Sequence, residues 1–292
     1  VVATQSGLIK KVPTASFKVQ KKGGKGVKSD DDVILDVIKT NTVDTIMFFT
    51  NKGKMYRTVA DNIPNGTNTT KGVMISSLVK LDNDERVMAI SSLHRKSTPQ
   101  YIIFVTKNGM IKKSYLEEYT KTNRNTGIAA LNVKDGDEVV DIIFQDEEDM
   151  VLVTKNGMSI KFATKDVTPI GRVAMGVKGI KLAEGDEVIA ALPIHKVTDQ
   201  IAIFTDGGLG KKVDINELPM QARGGKGTII YKPTEQTGSV VGSAMVSDED
   251  LILLSGNKTS ICFSAKDIPS LGKTGIGNIM IKNNRVLSVT KI

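Results

Sequence analysis

Tryptophan is absent from the 292 residues, aromatics of all kinds make up 4%, and there is one cysteine, Cys262. A lone cysteine cannot close an internal disulfide, which fits a reducing cytoplasm. With so few aromatics the chain has little to stack on bases, which argues against single-strand nucleic-acid binding. The core must then rest on Val, Ile, Leu and Met. No apolar run approaches the roughly 20 residues that span a bilayer, and the first residues lack the charged-then-apolar order of a signal peptide, so no membrane partner is expected. The two histidines, His94 and His195, have no second histidine or cysteine at ligand spacing, and no metal or cofactor is expected. Gly272-Lys273-Thr274 resembles the end of a Walker A loop, but the glycine required earlier falls at Asp267. No nucleophile and base stand in a usable pattern.

Acids are missing locally as well. Residues 1–28 hold seven lysines and no Asp or Glu, and the chain's formal net charge is +8, so subtracting the +7 of this stretch leaves +1 for everything after it. A nearly neutral body with one concentrated basic segment suits a polyanion, and duplex nucleic acid is the commonest one in a cell. The segment ends in Gln20-Lys21-Lys22-Gly23-Gly24-Lys25-Gly26, where glycines allow close approach and lysines supply charge. Such a stretch can also be a solvated arm, so the remainder of the chain has to decide.

That remainder is repetitive. A hairpin signal recurs six times, at Thr4-Gln5-Ser6-Gly7, Thr50-Asn51-Lys52-Gly53, Thr106-Lys107-Asn108-Gly109, Thr154-Lys155-Asn156-Gly157, Thr205-Asp206-Gly207-Gly208 and, degenerate, Ser255-Gly256-Asn257-Lys258. The copies lie roughly 50 residues apart, the spacing of a propeller blade. Asn-Gly and Asp-Gly point to tight turns with both central residues at positive φ. A second glycine follows each turn, at Gly26, Gly72, Gly127, Gly176, Gly227 and Gly277. Between the two marks, stretches such as Asp61-Asn62-Ile63-Pro64 and Asp267-Ile268-Pro269 read as extended loops, because proline excludes the preceding residue from the helical region. Strand-like segments and an acidic turn complete a unit of about four strands. With no sustained helical periodicity, the expectation is an all-β ring of six four-stranded antiparallel blades forming one domain over residues 1–292. Val1 is not a methionine, so the chain reads as part of a longer protein.

Gly7-Leu8-Ile9-Lys10-Lys11-Val12-Pro13 and the heptapeptide at 20–26, with Gly171-Arg172-Val173-Ala174-Met175-Gly176 and Gln221-Ala222-Arg223-Gly224-Gly225-Lys226-Gly227 further on, resemble the C-terminal domain of DNA gyrase A. The family's signature heptapeptide, the gyrase A box, reads Q-R-R-G-G-R/K-G. This chain departs from it with Lys21 and Lys22 in place of arginines, and with Gly275-Ile276-Gly277-Asn278 in the last unit. The resemblance implies a six-bladed β-pinwheel whose blades exchange outer strands and which binds, bends and wraps duplex DNA, so that the gyrase holoenzyme can introduce negative supercoils. On that reading the fragment has no catalytic residue of its own. The cleaving tyrosine and the ATPase lie elsewhere in an ATP-dependent type II topoisomerase. The implied partners are DNA, the N-terminal cleavage core of the same polypeptide and gyrase B, in the cytoplasm at the nucleoid. The box residues Gln20, Lys21, Lys22, Gly23, Gly24, Lys25 and Gly26 carry the principal DNA-binding expectation. Because a bent duplex needs distributed contacts, secondary candidates are Lys54, Arg57, Lys71, Lys112, Lys113, Arg124, Arg172, Lys178, Lys211, Lys212, Arg223 and Lys226. Two alternatives stay open: the corresponding DNA-binding domain of topoisomerase IV, and a propeller that binds proteins or sugars.

Overall fold

The computed structural model describes residues 1–28, 32–96, 99–121, 126–196, 199–256 and 259–292. Among these residues twenty-four strands form six four-stranded sheets, with all strand neighbours antiparallel. The α-helix among the described residues is the single turn Glu117–Thr120. No helix among them is long and apolar enough to cross a membrane.

The chain divides into two compact units. The first comprises Val1–Ser16, Ile34–Glu147 and Val167–Lys178 and contains three sheets. Their strand orders are Ile34–Val37, Val2–Thr4, Leu8–Lys10, Val73–Met74; then Val87–Leu93, Thr45–Thr50, Lys54–Val59, Ile128–Ala129; then Val139–Gln145, Tyr101–Thr106, Met110–Tyr115, Val177–Lys178. The second unit comprises Phe17–Val33, Glu148–Asp166 and Gly179–Ile292. Its sheets run Val188–Pro193, Asp149–Thr154, Met158–Ala163, Thr228–Ile229; then Val240–Val246, Gln200–Thr205, Leu209–Asp214, Asn278–Ile279; then Val286–Lys291, Leu251–Gly256, Thr259–Ser264, Val27–Lys28. The fourth strand of every sheet is thus supplied by another repeat, and the sixth sheet is completed by the first repeat.

The central strands are apolar without interruption because both faces are covered. Ile201 and Ile203 pack with Val151 and Val153 of the neighbouring fourth sheet. The alternate residues Ala202 and Phe204 pack with Ile252, Leu254 and Phe263 of the sixth. In the first unit, Phe48 joins Ala3 and Ile9 on one face while Phe49 meets Phe104 edge-on at 5.3 Å on the other. A residue is skipped at the same place in all six sheets, as at Phe204/Thr205, giving each an equivalent bulge.

Two local expectations are corrected. Asn51, Asn108 and Asn156 of the hairpins do not take positive φ, and Asn257 lies outside the described residues; among the described non-glycine residues only Asp84 and Asn283 do. The turn is instead closed by threonine: Gly109 N donates to Thr106 O at 2.9 Å, while Thr106 Oγ1 accepts from Met110 N at 3.2 Å, and the fourth repeat does the same through Thr154, Gly157 and Met158. Glycine alone adopts the left-handed conformation, which is a three-residue loop with a bulge. The acid-and-proline segments begin as short 3-10 turns, Ala60–Asn62 and Ala265–Asp267 among them, and only the residue before proline is extended, as at Ile63 and Ile268.

Candidate nucleic-acid interface

Residues 20–26 are positioned by the sixth repeat. Gln20 N donates to Cys262 O at 2.7 Å, Gly23 N donates to Met280 O at 2.6 Å, and Gly24 O accepts from Lys282 N at 3.0 Å. The Lys22 amine is bound to the Asp267 carbonyl. Gly23 and Gly26 have φ of 72° and 76°, and a Cβ on Gly26 would stand 2.8 Å from Ser260 O. Glycine is required at Gly26 by both conformation and space. What the loop then offers outward is Lys21 and Lys25, both exposed.

Residues 221–227 repeat this construction on the fourth repeat, bond for bond. Gln221 N donates to Lys161 O at 2.8 Å, Gly224 N to Gly179 O at 2.7 Å, and Gly225 O accepts from Lys181 N at 2.8 Å. Arg223 Nε donates to Asp166 O at 3.2 Å, where Lys22 binds Asp267. The exposed positions are Ala222 and Lys226, so this copy presents one cation where the first presents two. In both copies the side chain of the third residue fastens the loop to a carbonyl, while the second and sixth positions face solvent.

The other secondary candidates separate sharply. Lys71 and Lys178 are exposed. Lys54 is held by Asp82, which raises the affinity of its amine for a proton, and Arg57 Nη1 donates to Thr120 O at 3.3 Å. Arg172 is half-buried, with Nη1 3.4 Å from Ala129 O. Arg124 lies outside the described residues.

Lys112, Lys113, Lys211 and Lys212 are corrections: all are buried, at 1%, 1%, 0% and 4% exposure. Lys112 Nζ donates to Ala130 O at 2.8 Å, to Tyr119 Oη at 3.1 Å and to Arg172 O, and stands over the Phe104 ring. Lys211 Nζ donates to Gly272 O and Lys273 O at 3.0 and 2.8 Å. Lys113 lies over the Tyr101 ring at 4.3 Å, and Lys212 pairs with Asp248 at 2.9 Å. Burial pushes the Lys112 and Lys211 amines down to about 8. An amine enclosed by such partners cannot reach a phosphate without abandoning them, so the four leave the set of surface contacts. Lys273, half-buried, stands in the sixth repeat where Lys22 stands in the first, four residues before the second glycine.

Among the described residues no three His, Cys, Asp or Glu side chains converge as a metal-binding group.

Comparison with known proteins agrees with this arrangement. The chain is 35% identical over 290 residues to the DNA gyrase A protein of Lawsonia intracellularis, covering 97% of this chain and 35% of that protein. It is 34% identical over 301 residues to the DNA gyrase A protein of Clostridium acetobutylicum, covering 100% and 36%. It therefore spans about a third of the length of these relatives. A solved structure of the DNA gyrase A C-terminal domain matches with a TM-score of 0.86 at 27% identity, covering 100% of this chain and 98% of that one. The C-terminal domain of a DNA topoisomerase IV matches at 0.79 and 27%, covering 100% and 92%. The family model for the DNA gyrase C-terminal domain, a β-propeller, matches residues 1–41, 44–94, 100–146, 148–195 and 199–247, and the chain belongs to that family, with the six four-stranded sheets as its blades.

Proposed function

We propose that this domain binds duplex DNA through phosphates, bends it and wraps it, serving a gyrase whose catalytic tyrosine and ATPase reside in other parts of the enzyme. The observation that carries this reading is the pair of glycine loops at 20–26 and 221–227, built by the same hydrogen bonds on two different repeats and each presenting exposed lysine. A phosphate-tracking surface needs several such supports, because bending 20–30 base pairs strongly costs on the order of 1–6 kcal/mol. Base identity plays little part, since phosphate contacts position a duplex without reading it. The acid-free stretch of residues 1–28 makes the first loop the principal site. In the complete enzyme the partners on this reading are the cleavage core of the same polypeptide and gyrase B, in the cytoplasm.

The test is relaxation of nicked circular DNA with the domain bound, followed by ligation and scoring of the sign of the captured topological change. Captured writhe of one sign, growing with protein and lost at high salt, is the expected result. Duplex binding without captured writhe would reduce the domain to a passive DNA-binding module.

A further inference from the structure

The loops that lead to the second glycine of each repeat rest on two kinds of seat. The third residue after the hairpin glycine is Lys10 in the first sheet, Tyr56 in the second, Lys112 in the third, Ile160 in the fourth and Lys211 in the fifth, and the sixth sheet has Ile261 at the matching place in register. Lysine therefore alternates with an uncharged residue. Each of these lysines is buried, and each amine is bound to at least one carbonyl in the loop of the following repeat. Lys10 Nζ donates to Asn68 O and Thr70 O at 3.2 and 2.6 Å. Lys112 Nζ reaches Arg172 O, and Lys211 Nζ reaches Gly272 O and Lys273 O. The two glycine loops lack this arrangement. Ile261 Cδ1 is 3.8 Å from where a Cβ on Gly24 would lie, and Ile160 Cδ1 is 3.6 Å from the same point on Gly225.

A buried ammonium held by two or more carbonyls is a stiff fastening. Its hydrogen bonds are charge-assisted, and releasing a loop would cost Lys10 and Lys211 both named carbonyls and Lys112 the Arg172 carbonyl, leaving it Ala130 O and Tyr119 Oη. An isoleucine seat gives only dispersion contact, and the loops at 20–26 and 221–227 are held instead by their backbone hydrogen bonds and by Lys22 and Arg223. We infer that Lys10, Lys112 and Lys211 are positioning residues for DNA wrapping: without touching the duplex, they fix the loops at 66–72, 170–176 and 271–277, so that Lys71, Arg172 and Lys273 stand at set places along its path. This inference rests on the wrapping function proposed above.

Lys112→Met keeps the volume and removes the donor. The chain carrying it is compared with wild type in four measurements: thermal unfolding, amide hydrogen exchange at 170–176, duplex affinity against salt, and captured writhe at saturating protein. Exchange in the loop should accelerate by about tenfold or more, and writhe should fall to about half or less, in line with loss of one support of the bend. The slope of log affinity against log salt should stay within about 0.3 of wild type, whereas a lysine that contacts phosphate changes it by about 0.9. A slope change of that size, or unaltered writhe beside faster exchange, overturns the inference. Lys211→Met, in the other unit, is the second copy and decides the matter should Lys112→Met fail to fold. A wild-type domain that captures no writhe overturns the wrapping function itself; normal wild-type writhe with unaffected variants overturns this inference alone.

Discussion

Gln20 N donates to Cys262 O at 2.7 Å, joining the first repeat's basic loop to the last repeat's sheet. The loop is therefore shaped by residues from the opposite end of the sequence. Its outward lysines depend on the folding of the sixth sheet.

Gly26→Ala and Gly227→Ala should each destabilise the domain by about 1–3 kcal/mol, because a side chain would combine strained backbone with a clash. A Cβ would run into the carbonyl of Ser260 or Ser159. Gly136→Ala is the control: φ is 79° there too, but nothing lies within 4 Å of a Cβ. Chemical denaturation of the three variants should show a smaller loss at Gly136 than at either loop glycine.

Lys21→Ala and Lys25→Ala should each lower the salt slope by about 0.9, the change expected for one lost phosphate contact. Lys22→Ala should leave the slope nearer wild type, since its amine is occupied by the Asp267 carbonyl. The triple replacement should weaken short-duplex binding by about tenfold or less, because other phosphate contacts remain, but should abolish most captured writhe. Replacing Arg223 and Lys226 should do less, as that loop exposes one cation. Titrations across a salt series, with writhe measured on the same proteins, check all of these. A larger writhe loss in the Arg223/Lys226 variant would make the fifth-repeat loop the principal site.

Unfolding should respond to pH through Lys112 and Lys211. Their amines sit at about 8 when folded, against 10.5 when exposed. Between those values the unfolded chain binds more protons, so the contribution of these groups to stability grows as pH rises from about 8 and is lost as pH falls through about 8. Denaturation midpoints taken at about pH 7, 8.5 and 10 should show a flatter dependence in Lys112→Met and Lys211→Met than in wild type.

Unfolding should also be a single transition. Each unit is assembled from separate stretches of chain, with Phe17–Val33 belonging to the second and Val167–Lys178 to the first. Neither can be cut out as one continuous segment, and repeats that lend strands to neighbouring sheets lose stability together. Calorimetry showing two separated transitions would refute this.

The number of units, their spacing, the strand content and the place where charge concentrates were all legible in the sequence. Each of these is local: turn residues, apolar strand-like segments and the acid-free stretch are read without knowing what lies opposite. The turn chemistry was only half legible. Thr-x-x-Gly was visible, but the threonine hydroxyl, and not the asparagine backbone, closes the loop. Tertiary structure alone decided which basic residues face solvent. Lys21-Lys22 and Lys112-Lys113 look alike as sequence, yet Lys21 is exposed and Lys112 is buried. The difference is set by the Arg172 carbonyl, 60 residues further along the chain, and by the aromatic rings of Phe104 and Tyr119 around the Lys112 amine. A lysine carries its charge wherever it stands; whether that charge meets water or a carbonyl depends on the segment folded over it.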